Sequence, residues 1–371
     1  MFGVSSVAGP LLGGWLTDGP GWRWIFYINL PVGLAALVIT SLALKMPVVR
    51  RQHKIDYLGA ATIAAAVTCL LLYLDWRGNA YGWAEPGALA LLAGFVVLSV
   101  AFVGVELRAA EPIIPMRLFR NQVFSVGNAF GFLAGVAFFG GIIFLPIYLQ
   151  TVKGMSPTQS GLALLPAIIG IFSTSITSGQ LISRTGRYKI YPVIGAVTMT
   201  VGLLALSRLD VDTPFWQVAI FEYLFGAGLG FTMQTIVTAV QNSVEYRDMG
   251  AATSSTTFFR QMGGSIGAAV FGAVLSSRLA FHLSEQLAKA GIRPGAGGAG
   301  IEANNVQGIQ HLTEPIKSIV LGAFTNALDD VFLVGVPFVA VAFIVALLLK
   351  EEPLRTGASP DKAEPLRTGQ P

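Results

Sequence analysis

Long apolar runs alternate with short charged segments along the whole chain. A helix rises about 1.5 Å per residue, so about 20 uncharged residues match a hydrocarbon core roughly 30 Å thick. Ten runs have this character: residues 1–17, 24–44, 57–74, 87–105, 123–149, 160–182, 190–207, 215–238, 259–281 and 331–349. The pattern predicts an all-α integral membrane protein with about ten transmembrane helices in the lipid bilayer.

Composition agrees with that fold class and excludes others. Of the 371 residues, 53% are hydrophobic and 12% are charged, whereas about a quarter are charged in soluble domains. The lone cysteine, Cys69, lies in the third run, where packing is the favoured role, and it allows neither a disulfide within one chain nor a thiolate metal site. The runs contain no His, Cys or carboxylate cluster and no phosphate-binding Gly-Lys-Ser/Thr loop, so we expect no cofactor, no metal and no ATP-driven pump.

The distribution of Lys and Arg among the loops predicts the orientation of the chain in the membrane. About two thirds of the 24 Lys and Arg residues fall in alternate loops and in the C-terminal segment. By the positive-inside rule these loops are cytoplasmic, so both termini face the cytoplasm of a cell whose plasma membrane holds the protein. The net charge of +4 is therefore distributed between the two sides, and no basic face remains for nucleic acid.

Two segments outside the runs have a distinct composition. The loop 282–330 contains a glycine-rich stretch at 291–300, which we expect to be flexible. After Pro315, apolar residues recur at helical spacing, which favours an amphipathic helix either on the outer membrane surface or on the rim of the protein. The segment 350–371 repeats one six-residue sequence and is expected to be a disordered cytoplasmic tail.

The first run carries closely spaced small residues, among them Gly9, Gly13 and Gly14, together with Pro10. Small residues at four-residue spacing let another helix approach, and proline bends the helix. With the tryptophan-rich segment 22–29 that follows, this run resembles the antiporter motif of the major facilitator superfamily, in the form typical of its fourteen-helix drug:proton antiporters.

The resemblance implies a major facilitator fold and proton-coupled export of small amphipathic compounds. In that family the motif lies in the fifth helix, so the ten runs would be helices five to fourteen, without the first four. Residues 1–44 would then end the first bundle, 45–122 would hold two linking helices and a cytoplasmic loop, and 123–349 would form the second six-helix bundle. The alternative is a truncated, transport-inactive membrane fragment or a membrane-embedded interaction partner.

The loop between runs six and seven is similar to the superfamily's loop motif. Gly179, Arg184, Gly186 and Arg187 match it, while Ser183 replaces the carboxylate of the motif. The resemblance implies a gating loop, although a simple turn with basic membrane anchors explains the same residues.

Glu222 is the only acidic residue inside any of the ten runs. It lies roughly 9 Å from the outer end of its run, where an unpaired negative charge costs several kcal/mol. A carboxyl group that must take up a proton to stay there is a candidate proton carrier. The alternative is a glutamate that reaches the outer headgroups or a wet vestibule.

The ninth run opens with residues 258–267, again typical of the family. Arg260 is interpreted as an anchor at a cytoplasmic helix end or, alternatively, as a contact to the substrate or gate. Polar side chains in the runs must line a cavity or bond to neighbouring helices. The candidates for a cavity or gate are Asn29, Asn128, Gln234, Arg260 and Gln261.

Overall fold

A computed structural model describes residues 9, 12–43, 56–79, 85–109, 111–290 and 314–354. Every regular element in these ranges is helical. We number the α-helices α1 (12–18), α2 (Trp24–Tyr27), α3 (Asn29–Ala43), α4 (Tyr57–Asn79), α5 (Pro86–Glu106), α6 (Gln122–Ile147), α7 (Pro157–Ala163), α8 (Leu165–Thr185), α9 (Ile190–Leu206), α10 (Phe215–Ser243), α11 (Met249–Lys289) and α12 (Ile316–Leu347). Short turns of other helix types span Met116–Arg120, Tyr148–Val152 and Tyr246–Asp248.

Eight stretches of helix in the described part are long and apolar enough to cross a membrane, and α9 is a shorter apolar helix. The predicted all-α membrane class is therefore confirmed. Much of the first predicted run, including Pro10, lies outside the described residues.

Local sequence explains where several helices begin and end. Asn121 caps α6 by accepting a hydrogen bond from the Phe124 N–H at 3.1 Å, and Ser156 and Gln159 form a capping box at the start of α7. Gly186 ends α8 with a φ of +71°, a left-handed conformation that favours glycine.

Helices α6 and α8 to α12 form one bundle around a continuous apolar core. Helix α10 packs against α8 and α9, while α6, α11 and α12 pack against one another. The paired helices α4 and α5 contact this bundle through α11. By contrast, α2 and α3 contribute no buried residue among those described.

Helix α12 corrects the expected surface helix after Pro315. Those residues form the first half of one helix that continues to Leu347, and Phe324 and Leu328 are buried in the bundle core. The apolar spacing continues through Phe332, so a single helix buries one stripe along its length. Helix α11 likewise extends to Lys289, so the segment between α11 and α12 is shorter than the expected loop 282–330. The glycine-rich stretch 291–300 lies outside the described residues.

The expectation of a disordered tail from residue 350 is wrong for residues 350–354. Tyr188 donates its hydroxyl hydrogen to the Lys350 carbonyl oxygen at 2.9 Å and accepts one from the Glu352 N–H at 2.9 Å. The Tyr188 N–H donates to the Glu351 carboxylate at 3.1 Å. These contacts fix the end of the described chain against the turn before α9. Residues 355–371 lie outside the described part.

Candidate functional site

A cavity lies between α6, α10 and α11, with about 390 Å³ of empty space that includes open solvent at its mouth. Its walls are mainly apolar and aromatic, as is common for sites that hold small organic molecules. The lining residues are Phe130, Gly131, Ala134 and Phe138 of α6, Leu229, Thr232, Met233 and Ile236 of α10, and Thr256 and Arg260 of α11.

Glycines bring α6 and α11 together beside this cavity. A Cβ atom added at Gly135 would collide with the backbone carbonyl oxygen of Arg260. Additions at Gly263 and Gly267 would collide with the backbone of Phe132 and Val136. The two backbones therefore touch with no room for a side chain between them, which fixes the height of Arg260 relative to α6.

Among the described residues of the cavity wall, Arg260 is the only charged one. It lies about three turns into α11, so its interpretation as a residue at a helix end is wrong. The reason is that α11 begins ten residues before the predicted run, at Met249. Thr232 and Thr256 donate their hydroxyl hydrogens to carbonyl oxygens of their own helices, at 2.8 and 2.9 Å.

Glu222 is completely buried on α10. Neither carboxyl oxygen has a hydrogen-bond partner among the described residues. It lies seven residues before Leu229, which lines the cavity, so the two residues are about two turns, or 10 Å, apart along one face of α10. The alternative interpretation, a glutamate that reaches headgroups, does not fit a side chain with no exposed surface in this conformation.

The end of the first run, whose sequence resembles an antiporter motif, contacts the start of α7. A Cβ atom added at Gly14 would lie 2.7 Å from the Pro157 carbonyl oxygen, whereas at Gly9 and Gly13 no atom of the described residues lies within 4 Å of such a position. Asp18 accepts hydrogen bonds from the Thr158 N–H at 2.9 Å, from the Thr158 hydroxyl and from the Ser156 hydroxyl at 3.2 Å. These bonds, first that of the Thr158 hydroxyl, hold the pKa of Asp18 below its ordinary value.

The predicted gating loop surrounds the end of α8. Arg184 and Arg187 are exposed, and in the described part of the chain no atom lies within 4 Å of a Cβ position at Gly179 or Gly186. The described contacts of this region instead centre on Tyr188, which is buried beneath residues 350–352. The structure therefore places the matched residues together without showing a gating contact.

The remaining polar candidates do not gather at the cavity. Asn29 bonds to the Ile25 carbonyl oxygen of its own segment at 3.0 Å, and Gln234 and Gln261 are exposed. Asn128 is buried, donates to the Phe124 carbonyl oxygen at 2.8 Å, and has no partner for its amide oxygen among the described residues.

Sequence reasoning missed a polar cluster where α11 and α12 meet. Asp330 of α12 accepts from His282 at 2.9 Å and pairs with Arg278 at 3.5 Å, both on α11. One oxygen of the neighbouring Asp329 is buried without a partner in the described part. The available signal is the pair of acidic residues at the edge of run ten, a position that equally suits the end of a loop.

Comparisons with known proteins agree on one family. A family model described as Major Facilitator Superfamily matches residues 1–268. The chain is 42% identical over 357 residues to an uncharacterized MFS-type transporter, Rv1877, of Mycobacterium tuberculosis (strain ATCC 25618 / H37Rv), covering 95% of this chain and 51% of that protein. It is 33% identical over 385 residues to the multidrug transporter protein MdtP of Bacillus subtilis (strain 168), covering 98% and 71%.

A solved structure with a similar chain path is a bacterial homolog to the human lysosomal transporter Spinster, in an inward-facing and occupied conformation. The TM-score is 0.47 at 14% identity, over 94% of this chain and 81% of that one. The chain spans about half the length of its mycobacterial relatives.

Proposed function

Because the chain belongs to the Major Facilitator Superfamily, we propose that it acts in the proton-coupled export of small amphipathic compounds across the plasma membrane. In this proposal both termini are cytoplasmic, and the ten predicted helices correspond to helices five to fourteen of a fourteen-helix drug:proton antiporter. The relatives named a multidrug transporter and a multidrug resistance protein support the substrate class. The apolar and aromatic cavity between α6, α10 and α11 supports it independently.

The observation that carries proton coupling is the buried, unpartnered carboxyl group of Glu222. An unpaired carboxylate at this depth would cost several kcal/mol, so the group carries a proton in this conformation. When the helices rock and water reaches Glu222, the carboxyl group loses that proton. Because Glu222 lies about two turns from the cavity along α10, its charge changes the environment that a substrate meets.

Glu222→Gln tests the coupling role. The amide keeps the shape of the side chain and cannot carry a proton. We expect proteoliposomes with this variant to lose dye transport driven by an imposed pH gradient, while the purified variant still binds the dye. Glu85→Gln is the matched control, because Glu85 is an exposed carboxyl group at the start of α5. Unaltered gradient-driven transport by Glu222→Gln would remove Glu222 from the mechanism.

The length of the relatives favours a second candidate. Since the chain spans about half of its mycobacterial relatives, the alternative role is that of a transport-inactive membrane fragment or an interaction partner. The same assay separates the two functions when it is run on this chain and on any longer form encoded upstream of Met1. Transport only by a longer form would assign the fragment role to this chain.

A further inference from the structure

The described residues that line the cavity include one cation, Arg260, and no acidic side chain. Arg260 is half-buried, and its guanidinium forms no hydrogen bond or ion pair with any residue in the described ranges. The threonine hydroxyl hydrogens in the wall are already donated to backbone carbonyls. The five N–H donors of Arg260 are therefore the hydrogen-bond donors that the described cavity wall offers to a ligand, and the rest of that wall is mainly apolar.

Two other arginines in the described part, Arg117 and Arg278, form ion pairs with acidic side chains of another segment. Arg117 forms two hydrogen bonds with Asp248, at 2.9 and 2.6 Å, and Arg278 pairs with Asp330 at 3.5 Å. Both are more than half exposed, whereas the less exposed Arg260 has none. A structural arginine at this depth needs a counter-charge, because a desolvated cation is costly when it is unpaired. The arrangement is that of a site whose counter-charge arrives with a ligand.

Resting on the proposed function, we propose that the exported compounds are amphipathic anions and that Arg260 binds their acidic group. A planar guanidinium matches a carboxylate or sulfonate with two parallel hydrogen bonds. Phe130, Phe138 and Met233 would then contact the apolar body of the same molecule. A cationic dye meets like charge at Arg260 and is disfavoured.

Three probes of nearly equal shape test the inference: 1-naphthoate, 1-naphthamide and 1-naphthylmethylammonium. Binding is measured with the purified chain in phosphatidylcholine nanodiscs, where no anionic lipid can occupy the site. We expect naphthoate to bind about tenfold more tightly than naphthamide, the usual effect of a hydrogen-bonded charge, and the ammonium probe to bind most weakly. Added phosphatidylglycerol that displaces naphthoate would instead identify a lipid headgroup as the occupant and overturn the substrate assignment.

Variants assign the effect to Arg260. Arg260→Gln should abolish the preference for naphthoate while naphthamide binding, which also reports that the protein is folded, changes little. Arg260→Lys should keep part of the preference, and it remains informative if the glutamine variant does not fold. Arg247→Gln is the control, because Arg247 is an exposed cation that is not among the described residues of the cavity wall. A naphthoate preference that survives Arg260→Gln overturns the inference.

The outcome is separable from that of the proposed function. Gradient-driven transport that is insensitive to Glu222→Gln would contradict proton coupling and leave the charge preference at Arg260 measurable. Transport of neutral and anionic probes at equal rates, lost in Glu222→Gln, would support export and overturn the anion inference.

Discussion

Tyr188 shows how one buried side chain can fix the end of the described chain. Its hydroxyl both donates to and accepts from the backbone of residues 350 and 352. We expect Tyr188→Phe to lower the free energy of unfolding by about 1–2 kcal/mol, since both backbone partners lose a hydrogen bond. Thermal unfolding in detergent measures the change. Tyr246→Phe, at a tyrosine that is 86% exposed, is the matched control and should leave the midpoint unchanged.

Tyr188 also predicts a dependence on pH. Burial raises the pKa of its phenol above the ordinary value of 10.0, so the folded protein keeps this proton when the unfolded chain has lost it. The resulting stabilisation is complete below pH 10.0 and is lost as the pH rises further. The unfolding midpoint of the wild type should therefore fall more steeply above about pH 10 than that of Tyr188→Phe. Parallel curves would contradict the burial of this phenol.

At the residue scale, the sequence predicts which side chains are unusual but not what surrounds them. Glu222 is evident from sequence because an acid inside an apolar run is costly wherever the run packs. The free guanidinium of Arg260 is not evident from sequence. Whether it has a partner among the described residues depends on how α6, α10 and α11 pack together. Asn29 shows that a polar residue in an apolar run need not line a cavity, since its side chain bonds to the backbone of its own segment.

At the scale of helices, the contact between α6 and α11 depends on glycines with no room for a side chain. Gly267→Ala would place a methyl group 2.5 Å from the Val136 carbonyl oxygen. We expect overpacking to cost about 1–3 kcal/mol of stability. Gly272→Ala on the same helix meets no atom of the described residues within 4 Å and should stabilise α11 by up to about 1 kcal/mol. Thermal unfolding of both variants tests this, and equal midpoints would contradict the close approach of the two backbones.

Spacing alone predicts that such glycines form a stripe on a helix, but not which helix faces the stripe. Gly263 and Gly267 face α6, whereas Gly9 and Gly13 face no described residue. Helix ends are harder still to predict. The acidic pair at 329 and 330 resembles the end of a loop, yet both residues lie inside α12, and His282 and Arg278 of α11 contact Asp330 there.

At the scale of the whole molecule, the sequence predicts the membrane class and the approximate spans, because hydrocarbon thickness limits each run. It does not predict how the helices are placed relative to one another. That information lies in contacts between distant segments, of which Asp18 with Ser156 and Thr158 is one. In the predicted orientation this contact lies on the outer side, where it would hold α1 against α7 and keep that side closed.

The Asp18 contact therefore predicts a change in conformational population. Asp18→Asn removes the charge that three hydrogen bonds stabilise, and we expect it to separate α1 from α7 in a larger fraction of molecules. Spin labels at Thr17 and Leu162, both exposed, placed in a Cys69→Ala background, report that fraction as a distance distribution by electron resonance.

Acid should reproduce the effect of this substitution. Because hydrogen bonds lower the pKa of Asp18 from 3.8, the carboxylate and its contact persist down to that value, and the contact is lost only as the pH falls through the lowered pKa. The short-distance population should then be constant between about pH 5 and 8 and decrease in stronger acid in the wild type alone. A population that is unchanged in Asp18→Asn would show that Gly14 packing against Pro157, rather than the charge, holds the two helices together.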